Sequence, residues 1–316
     1  MRAELFLNGK ILGLRICCLI NPSSGPDGGP STDDIENLFQ SHGVAPHIIE
    51  LGKGDDISAL TKSALSKKCD VIVAGGGDGT INAVASALVG NSQVKFGVLP
   101  LGTLNHFAKD LQIPTDIAKA VEIVVAGHDQ AIDVGEVNGH IFVNNSSVGL
   151  YPSIVKLRES LQKSGFKKWP AAARASLQVL ARFRLLRLNL GAEGLEKTNH
   201  KTALIFVGNN VYDVSFPTLG KRSSLQKGVI SVMMPRASTR FGLLINFFSL
   251  VFKSPPKSDV LTFETTSLSI KHKRSFVKVA VDGEVIMLKS PLNYRIRPQS
   301  LNVIVPFVDA TKSNSE

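Results

Sequence analysis

The residues best suited to chemistry in this sequence are Gly75-Gly-Gly-Asp-Gly-Thr80, which follow the β-branched run Val71–Val73. The run predicts a buried strand, and the glycines predict a turn into a helix that begins near Ile81. Glycines let main-chain N–H groups approach an anion, and a helix start carries a partial positive charge. Asp78 could hold Mg²⁺, and the hydroxyl of Thr80 could order phosphate oxygens. The segment predicts a nucleotide-phosphate loop, although a tight turn without a ligand uses the same residue types.

Two further polar loops follow predicted strands. Asn21-Pro-Ser-Ser-Gly25 follows a strand over Leu14–Ile20, and Pro100–Ala108 follows a strand over Lys95–Leu99. Strands and helices alternate up to about residue 126, which predicts an α/β domain with a doubly wound parallel sheet. Ligands of such sheets bind outside the carboxyl ends of the strands, so the three loops are expected to converge on one site.

The pattern between these loops predicts the remaining elements of the first domain. Ser31-Thr-Asp-Asp34 resembles a capping box and opens a helix that closes around Gly43. The other predicted elements are a strand over 45–51 and helices over 57–67, 81–89 and 115–126.

The chain changes character at about Ala131. Short alternating segments separated by turns such as Asn138-Gly139 and Asp282-Gly283 predict a mostly antiparallel β domain. A helical insert is predicted over residues 154–188. The predicted organisation is therefore a nucleotide domain over 1–130, a β-sandwich over 131–308 and a polar tail over 309–316.

The 316-residue chain has a net charge of +10 at pH 7 and a pI near 9.5. This charge indicates an anionic partner, namely a membrane surface, nucleic acid or a phosphorylated substrate, or else a generally basic solvated surface. Nucleic acid is disfavoured because no recognised binding module accompanies the charge. The three cysteines, Cys17, Cys18 and Cys69, have neither metal-ligand spacing nor an even-numbered disulfide framework, which predicts a reducing cytoplasm. Neither a signal peptide nor a membrane-spanning helix is expected.

Four motifs in order over about residues 14–306 give the chain a family resemblance. They are Asn21-Pro-Ser-Ser-Gly25, Gly75–Asn82, Leu99–Ala108 and Val281-Asp-Gly-Glu284. Together they resemble the diacylglycerol kinase catalytic-domain family, which includes sphingosine and ceramide kinases, and they are most similar to its soluble bacterial branch. The resemblance implies a phosphofructokinase-like nucleotide domain, a C-terminal β-sandwich, ATP as phosphoryl donor and Mg²⁺ as cofactor.

The resemblance also implies roles for individual residues. Glu284 is expected to accept the proton of the substrate hydroxyl, with Asp282 beside it in the catalytic set; a plain solvent-facing hairpin is the alternative. Asp78 is expected to hold Mg²⁺ with ATP, and Asp78 as the base remains an alternative. The expected nucleotide-binding residues are Asn21, Gly76, Gly77, Asp78, Gly79, Thr80, Asn82, Thr103 and Asn105.

One departure from the family pattern concerns metal binding. The family loop that aligns with Leu225–Val229 has Asp before Gly228 and holds a second, structural Mg²⁺, whereas this chain has Lys227 there. An ammonium group could replace the charge of the cation. The structural magnesium site is therefore predicted to be absent.

A basic segment over residues 156–187 is the candidate lipid side of the molecule. Its cations are interspersed with apolar and aromatic residues, a composition suited to an anionic membrane interface. Packing of its apolar face on the sandwich is the alternative. The residues expected to face lipid or membrane are Lys167, Lys168, Trp169, Arg182 and Arg184.

The leading hypothesis is an ATP-dependent lipid kinase, cytoplasmic and peripherally membrane-associated. Its acceptor would be the hydroxyl of diacylglycerol, a sphingoid base or another glycerolipid. The alternatives are an NAD kinase-like enzyme, or a catalytically weak lipid-binding regulator. The only support for the regulator is Lys227 and Glu50, which lies at the end of the second predicted strand, where the family pattern has a nucleotide-contacting Thr. The sequence leaves the oligomeric state open, a homodimer included.

Overall fold

The fold is that of a computed structural model, which describes residues 14–25, 29–150, 152, 174, 185–193, 195–212, 222, 224–235 and 260–307. The chain divides into two compact units, one of residues 1–132 and 299–316, the other of residues 133–298. The division falls within two residues of the boundary expected at 131. Residues 299–307, which the sequence pattern assigned to the second domain, fall in the first unit.

The first unit alternates strands and helices from its start, as the sequence predicts. Its elements are β1 (Ile16–Ile20), α1 (Thr32–Ser41), β2 (His47–Glu50), α2 (Ile57–Ser66), β3 (Val71–Gly76), α3 (Asp78–Leu88), β4 (Lys95–Pro100), α4 (His106–Asp110) and α5 (Ile117–Ala126). The strand order is β2-β1-β3-β4, all parallel. Beyond β4, Val303 from the last strand of the chain pairs in parallel with Phe96. The doubly wound parallel α/β fold is thus confirmed.

The helix starts follow from local side-chain chemistry. Ser31 caps α1 and forms a reciprocal capping box with Asp34, and Asp56 caps α2. Helix α5 is capped by Asp116 and ends at Gly127, whose φ of 70° is left-handed.

Two features of the first unit differ from the sequence-based expectation. Helix α3 begins at Asp78 rather than near Ile81, so Asp78, Gly79 and Thr80 form its first turn. The short helix α4 lies within the segment that was expected to be only a loop. The sequence pattern puts the start of α3 too late because glycine has a low helix propensity. In the structure, the packing of α3 on β3 outweighs that propensity.

The second unit is antiparallel throughout its named strand pairs. Strand β5 (Asp129–Val137) enters it from the first unit, and β16 (Leu292–Ile304) leaves it at Gln299. The strands between them are β6 (His140–Phe142), β7 (Asn145–Gly149), β8 (Leu186–Ala192), β9 (Leu195–Thr202), β10 (Leu204–Asn209), β11 (Ile230–Pro235), β12 (Val260–Thr265), β13 (Ser267–His272), β14 (Phe276–Val281) and β15 (Glu284–Lys289).

These strands form two layers around a common core. One layer has the order β16-β13-β8-β9, and the other has the order β12-β11-β10-β7-β14-β15. Leu188 and Ile270 from the first layer and Val207 and Val279 from the second belong to a single buried apolar cluster. Because alternate residues of each strand face this cluster, their neighbours face outward. The expected mostly antiparallel sandwich is confirmed.

The helical insert expected over 154–188 lies mostly outside the described residues, and so do Lys167, Lys168, Trp169, Arg182 and Arg184. Its last three residues are not helical, because β8 begins at Leu186. Arg187 therefore belongs to a strand and not to the basic helical segment. In the part of the chain that the structure describes, no helix has the length and apolar character to span a membrane.

The cysteines differ from the prediction. Cys17 and Cys69 form a disulfide, and Cys18 is a buried free thiol. Burial raises the pKa of the Cys18 thiol. The bridge was missed because it depends on the pairing of β1 with β3, which brings together residues 52 positions apart. The expectation of a reducing compartment therefore loses the support that the cysteine pattern gave it.

Candidate active site

The first unit brings its three polar loops to one edge of the sheet. Ile20 pairs with Gly75, and Gly75 with Leu99, so β1, β3 and β4 end side by side. The main-chain N–H of Asn21 donates to the Gly75 carbonyl at 2.8 Å, and that of Leu101 donates to the Gly76 carbonyl at 3.0 Å. The convergence expected from the strand order is therefore present.

Glycines allow these loops to approach each other. A Cβ atom on Gly76 would lie 2.6 Å from the Cβ atom of Thr80, and one on Gly102 would lie 2.5 Å from the Cα atom of Gly77. Both distances are shorter than atoms tolerate. A side chain on Gly102 would push the loops after β3 and β4 apart, and one on Gly76 would displace Thr80 in the first turn of α3. Gly77 caps α3 without a side chain, and the first N–H groups of a helix have no intrahelical partner. This opening is suited to an anion.

The polar residues of the three loops fall into two groups. Thr80 is buried, and its hydroxyl accepts a hydrogen bond from the Asn21 side chain at 3.4 Å. Gly79 and Thr103 are exposed at the loop surface. Thr80 therefore connects β1 to α3, whereas Gly79 and Thr103 are open to a ligand.

Asn105 holds the loop after β4 in shape. It adopts a left-handed backbone conformation with φ 49° at the start of α4, and its side-chain NH₂ donates to the carbonyls of Pro100 and Gly102 at 3.2 and 2.8 Å. Its Oδ1 atom is buried, and so is that of Asn82; neither has a hydrogen-bond partner among the described residues. Two buried acceptors in these segments favour a ligand or water that donates hydrogen bonds.

Asp78 is the carboxylate of this group of loops. It is half-buried in the first turn of α3, and its Oδ1 atom lies 3.5 Å from the main-chain N–H of Phe107. No cluster of three or more His, Cys, Asp or Glu side chains suited to a metal occurs among the described residues. Mg²⁺ commonly binds through one or two carboxylates together with substrate phosphates and water. Asp78 fits that mode of binding, in which the nucleotide supplies part of the coordination.

The predicted catalytic pair lies in the second unit, on the turn between β14 and β15. Asp282 and Gly283 have φ values of 45° and 90°, the left-handed pair that a two-residue hairpin turn requires. Glu284 is the first residue of β15 and is exposed. Among the described residues no hydrogen bond or ion pair engages its carboxylate.

Asp282 has a different environment. Its Oδ2 atom accepts the main-chain N–H of Val143 at 2.8 Å, and its Oδ1 atom accepts those of Asn144 and Asn145 at 2.9 and 2.8 Å. Burial raises the pKa of Asp282 to about 6, although these three N–H bonds and the Arg222 charge lower it. Both oxygens are thus committed to the segment 143–145.

Arg222 holds the same segment from another side, and the sequence analysis did not identify it. It is buried, and it donates to the Val143 carbonyl at 2.5 Å and to the Asn144 side chain at 2.9 Å. Tyr212 donates to the Asn144 carbonyl at 2.9 Å. Arg222 follows Lys221 in a segment without a recognisable motif and so gives no sequence signal, whereas the doublet Asn209-Asn210 at the end of an apolar run could have indicated a buried polar network.

The loop at Lys227 is held by main-chain hydrogen bonds. The Lys227 N–H donates to Asn210 Oδ1 at 2.8 Å, and the Gly228 N–H donates to Asp133 Oδ2 at 2.7 Å. The Lys227 side chain is exposed. The predicted absence of a structural magnesium here stays a prediction.

The comparisons with known proteins agree with this geometry. The family model "Diacylglycerol kinase catalytic domain" matches residues 15–137. Over 123 residues the chain is 39% identical to the Klebsiella pneumoniae protein named "Probable lipid kinase YegS-like", a match covering 38% of this chain and 41% of that protein. Over 98 residues it is 37% identical to a diacylglycerol kinase of Staphylococcus carnosus, covering 31% and 32%. The matched segments thus span less than half the length of these curated relatives.

Two solved structures share the fold. A diacylglycerol kinase structure from Bacillus anthracis has a TM-score of 0.69 at 19% identity and covers 93% of this chain and 97% of its own. An NAD kinase from Archaeoglobus fulgidus in complex with ATP has a TM-score of 0.53 at 11% identity, covering 92% and 93%. The resemblance to the diacylglycerol kinase catalytic-domain family is confirmed over residues 15–137, which match the model of that family and contain three of the four motifs.

Proposed function

We propose that the protein is an ATP-dependent lipid kinase that transfers the γ-phosphoryl group of Mg·ATP to a lipid hydroxyl. The observation that carries the proposal is the convergence of the three loops after β1, β3 and β4 at the start of α3. Phosphoryl transfer depends mainly on positioning and charge neutralisation, and this edge of the sheet offers both.

Different residues of the three loops would contact different parts of ATP. The N–H groups at the start of α3 and the exposed Gly79 and Thr103 are placed to meet phosphate oxygens. The unpartnered acceptors of Asn82 and Asn105 suit the ribose hydroxyls or the adenine amino group, which donate hydrogen bonds, and do not suit phosphate. Asn21, Gly76, Gly77 and Thr80 keep the loops close enough for these contacts.

Asp78 would hold Mg²⁺ together with the nucleotide. When bound, the cation would neutralise charge on the phosphate oxygens. Asp78 itself would supply a carboxylate ligand for that cation, beside the three loops.

Glu284 is the proposed proton acceptor, and Asp282 is a positioning residue. The exposed carboxylate of Glu284, which no described residue engages, is available to a substrate hydroxyl, while both Asp282 oxygens accept hydrogen bonds. As the hydroxyl oxygen bonds to the γ-phosphorus, its proton passes to Glu284, the bond to the bridging oxygen breaks and ADP leaves. Asp78 as the base remains the alternative.

The lipid acceptor, whether diacylglycerol, a sphingoid base or another glycerolipid, is supported by the family of residues 15–137 and by the names of the bacterial relatives. The net charge of +10 supports contact with an anionic membrane. We place the enzyme in the cytoplasm, where ATP is available, bound peripherally to the membrane. The contribution of Lys167, Lys168, Trp169, Arg182 and Arg184 to that contact stays a prediction.

An NAD kinase-like reaction is the second candidate, supported by the shared fold with an ATP-bound NAD kinase. The two reactions use the same donor loops and differ in the acceptor. They are separated by offering both acceptors to one preparation of the protein.

The test is transfer of label from γ-labelled Mg·ATP to a panel of lipid hydroxyls in anionic micelles, with NAD in parallel. We expect a labelled lipid and no labelled NAD. Label in NAD alone would replace the proposal with the second candidate. Bound ATP with no labelled product would instead indicate a lipid-binding regulator on a kinase scaffold.

The role of Glu284 is tested by Glu284→Gln, with Glu264→Gln, another exposed glutamate of the same unit, as the matched control. Loss of the general base should lower kcat by about 10²- to 10⁴-fold with the Kd for Mg·ATP unchanged, and the control should keep full activity. Equal turnover in the two variants would mean that Glu284 is not the base, and Asp78 would then be the candidate.

A further inference from the structure

A cavity of about 400 Å³ lies over β8, β9 and β13 in the second unit, in a different sheet from β15, the strand that begins at Glu284. Four cationic side chains contribute to its wall, namely Arg187, Lys201, Lys271 and Lys273. We call this cavity the cationic groove. None of the described residues that line it is Asp or Glu. The groove thus concentrates positive charge in a concave surface.

The strand register places three of these cations, Arg187, Lys201 and Lys271, on two neighbouring rows of the sheet. Arg187 pairs directly with Lys201 across β8 and β9. Lys271 pairs with Asn189 across β13 and β8, and Asn189 pairs in turn with Asn199 of β9. Like charges in directly opposed positions destabilise a sheet. The fold therefore carries an electrostatic cost along this row.

Nothing on the described surface relieves that cost. All four cations are exposed, and no ion pair or hydrogen bond to a carboxylate engages any of them among the described residues. The uncharged lining adds hydrogen-bonding groups: Asn189 donates to Asn199 at 3.3 Å, and His272 accepts the Arg274 N–H at its Nδ1 atom. That bond leaves the Nε2 atom of His272 to carry the hydrogen and act as a donor.

We propose that the cationic groove binds a phosphate group, presented either by an acidic phospholipid headgroup or by a soluble phosphate compound. A phosphate would neutralise the opposed cations and accept hydrogen bonds from the donors around them. The cavity has the volume of a small-ligand site, and no Phe, Tyr or Trp on which nucleic-acid bases could stack is among the described residues that line it. A phosphate-bearing headgroup or small molecule therefore fits better than a nucleic acid.

The proposal goes beyond the ATP site, because it concerns a second anion site in the other unit and does not depend on turnover. Each cation near an anionic surface should strengthen binding by about fivefold. Added salt should weaken binding, since the groove is open to solvent.

The experiment measures binding of the full chain without ATP. One arm uses phosphatidylcholine vesicles with and without phosphatidylglycerol, and the other uses inositol hexakisphosphate in solution. The variant is Lys201→Glu, which reverses one charge and turns a like-charge pair with Arg187 into an opposite-charge pair. The matched control is Lys62→Glu, an exposed lysine on α2 in the first unit with the same change of charge.

We expect Lys201→Glu to weaken binding at least fivefold and Lys62→Glu to change it by less than twofold. Loss in the vesicle arm assigns the groove to lipid headgroups, and loss in the soluble arm assigns it to free phosphate compounds. Thermal stability of Lys201→Glu should be unchanged or higher, so weakened binding cannot be attributed to unfolding. Equal effects of the two substitutions, or no binding by the wild-type protein in either arm, would overturn the proposal.

Discussion

Gly102 and Gly77 face each other where the loops after β3 and β4 meet, and one methyl group tests this contact. A Cβ atom on Gly102 would lie 2.5 Å from the Gly77 Cα atom and 2.8 Å from Asn105 Oδ1. Carbon atoms in contact are normally about 3.5–4.0 Å apart. The first obstacle is main chain and the second belongs to a hydrogen-bonded amide, so no simple rotamer change relieves the clash. Gly102→Ala should therefore separate the loops by about 1 Å.

The consequences for stability and for binding differ in size. Overpacking of this kind costs about 1–3 kcal/mol, which lowers Tm by about 2–4 °C per kcal/mol. A shift of about 1 Å also lengthens a phosphate hydrogen bond beyond its useful range. Losing one charge-assisted bond costs about 1.5–3 kcal/mol, so the Kd for Mg·ATP should rise about 10- to 100-fold.

Isothermal titration calorimetry with Mg·ATP and a thermal melt measure the two effects. Gly52→Ala is the matched control, because a Cβ atom there would meet only the side-chain carboxylate of Asp55, at 3.5 Å or more. That variant should bind ATP like the wild-type protein. Unchanged ATP affinity in Gly102→Ala would refute the assignment of these loops to the nucleotide.

Three further predictions concern single groups. Asp78→Asn should weaken ATP binding in the presence of Mg²⁺ but change it little in EDTA, as titration in both buffers will show; an equal loss in both would remove Asp78 from the metal role. Because burial raises the pKa of Asp282 from 3.8 to about 6, the folded state holds this proton more tightly than the unfolded chain does. The stability from this group is therefore full below pH 3.8 and is lost as pH rises through 6. Relative to Asp282→Asn, the wild-type protein should lose about 2 kcal/mol between pH 4.5 and 7 in urea unfolding, and a constant difference would contradict this. The Cys17–Cys69 bridge spans 52 positions and should contribute about 4 kcal/mol by the chain-entropy relation. Unfolding with and without dithiothreitol measures that loss, and titration of the denatured protein should find one free thiol rather than three.

Much of the first unit could be predicted because its signals are local. Hydrophobic runs, the Ser31–Asp34 capping box and the glycines that follow β3 each act within a few residues. The Asp282-Gly283 turn was predictable for the same reason, since a two-residue hairpin needs two left-handed residues. These elements and their parallel or antiparallel order follow from patterns along the chain.

Tertiary contacts decided features for which the sequence has no local signal. Arg222 and Asp282 hold the segment 143–145 from positions far apart in the chain. The end of the segment expected to be a basic helix belongs instead to strand β8. Arg187 lies opposite Lys201 only because β8 pairs with β9. Pairing of distant residues depends on strand register, which composition alone does not specify.

The loop Gly75–Thr80 and the turn Asp282–Glu284 were determined by the sequence itself, because each consists of contiguous residues. The tertiary structure decided that Thr80 is buried and connects loops, and that two cysteines are joined. It also decided that both Asp282 oxygens accept hydrogen bonds, while no described residue engages the Glu284 carboxylate. The physical reason is the same in each case. The burial and the hydrogen-bond partners of a side chain are set by neighbours that only the folded chain brings into contact.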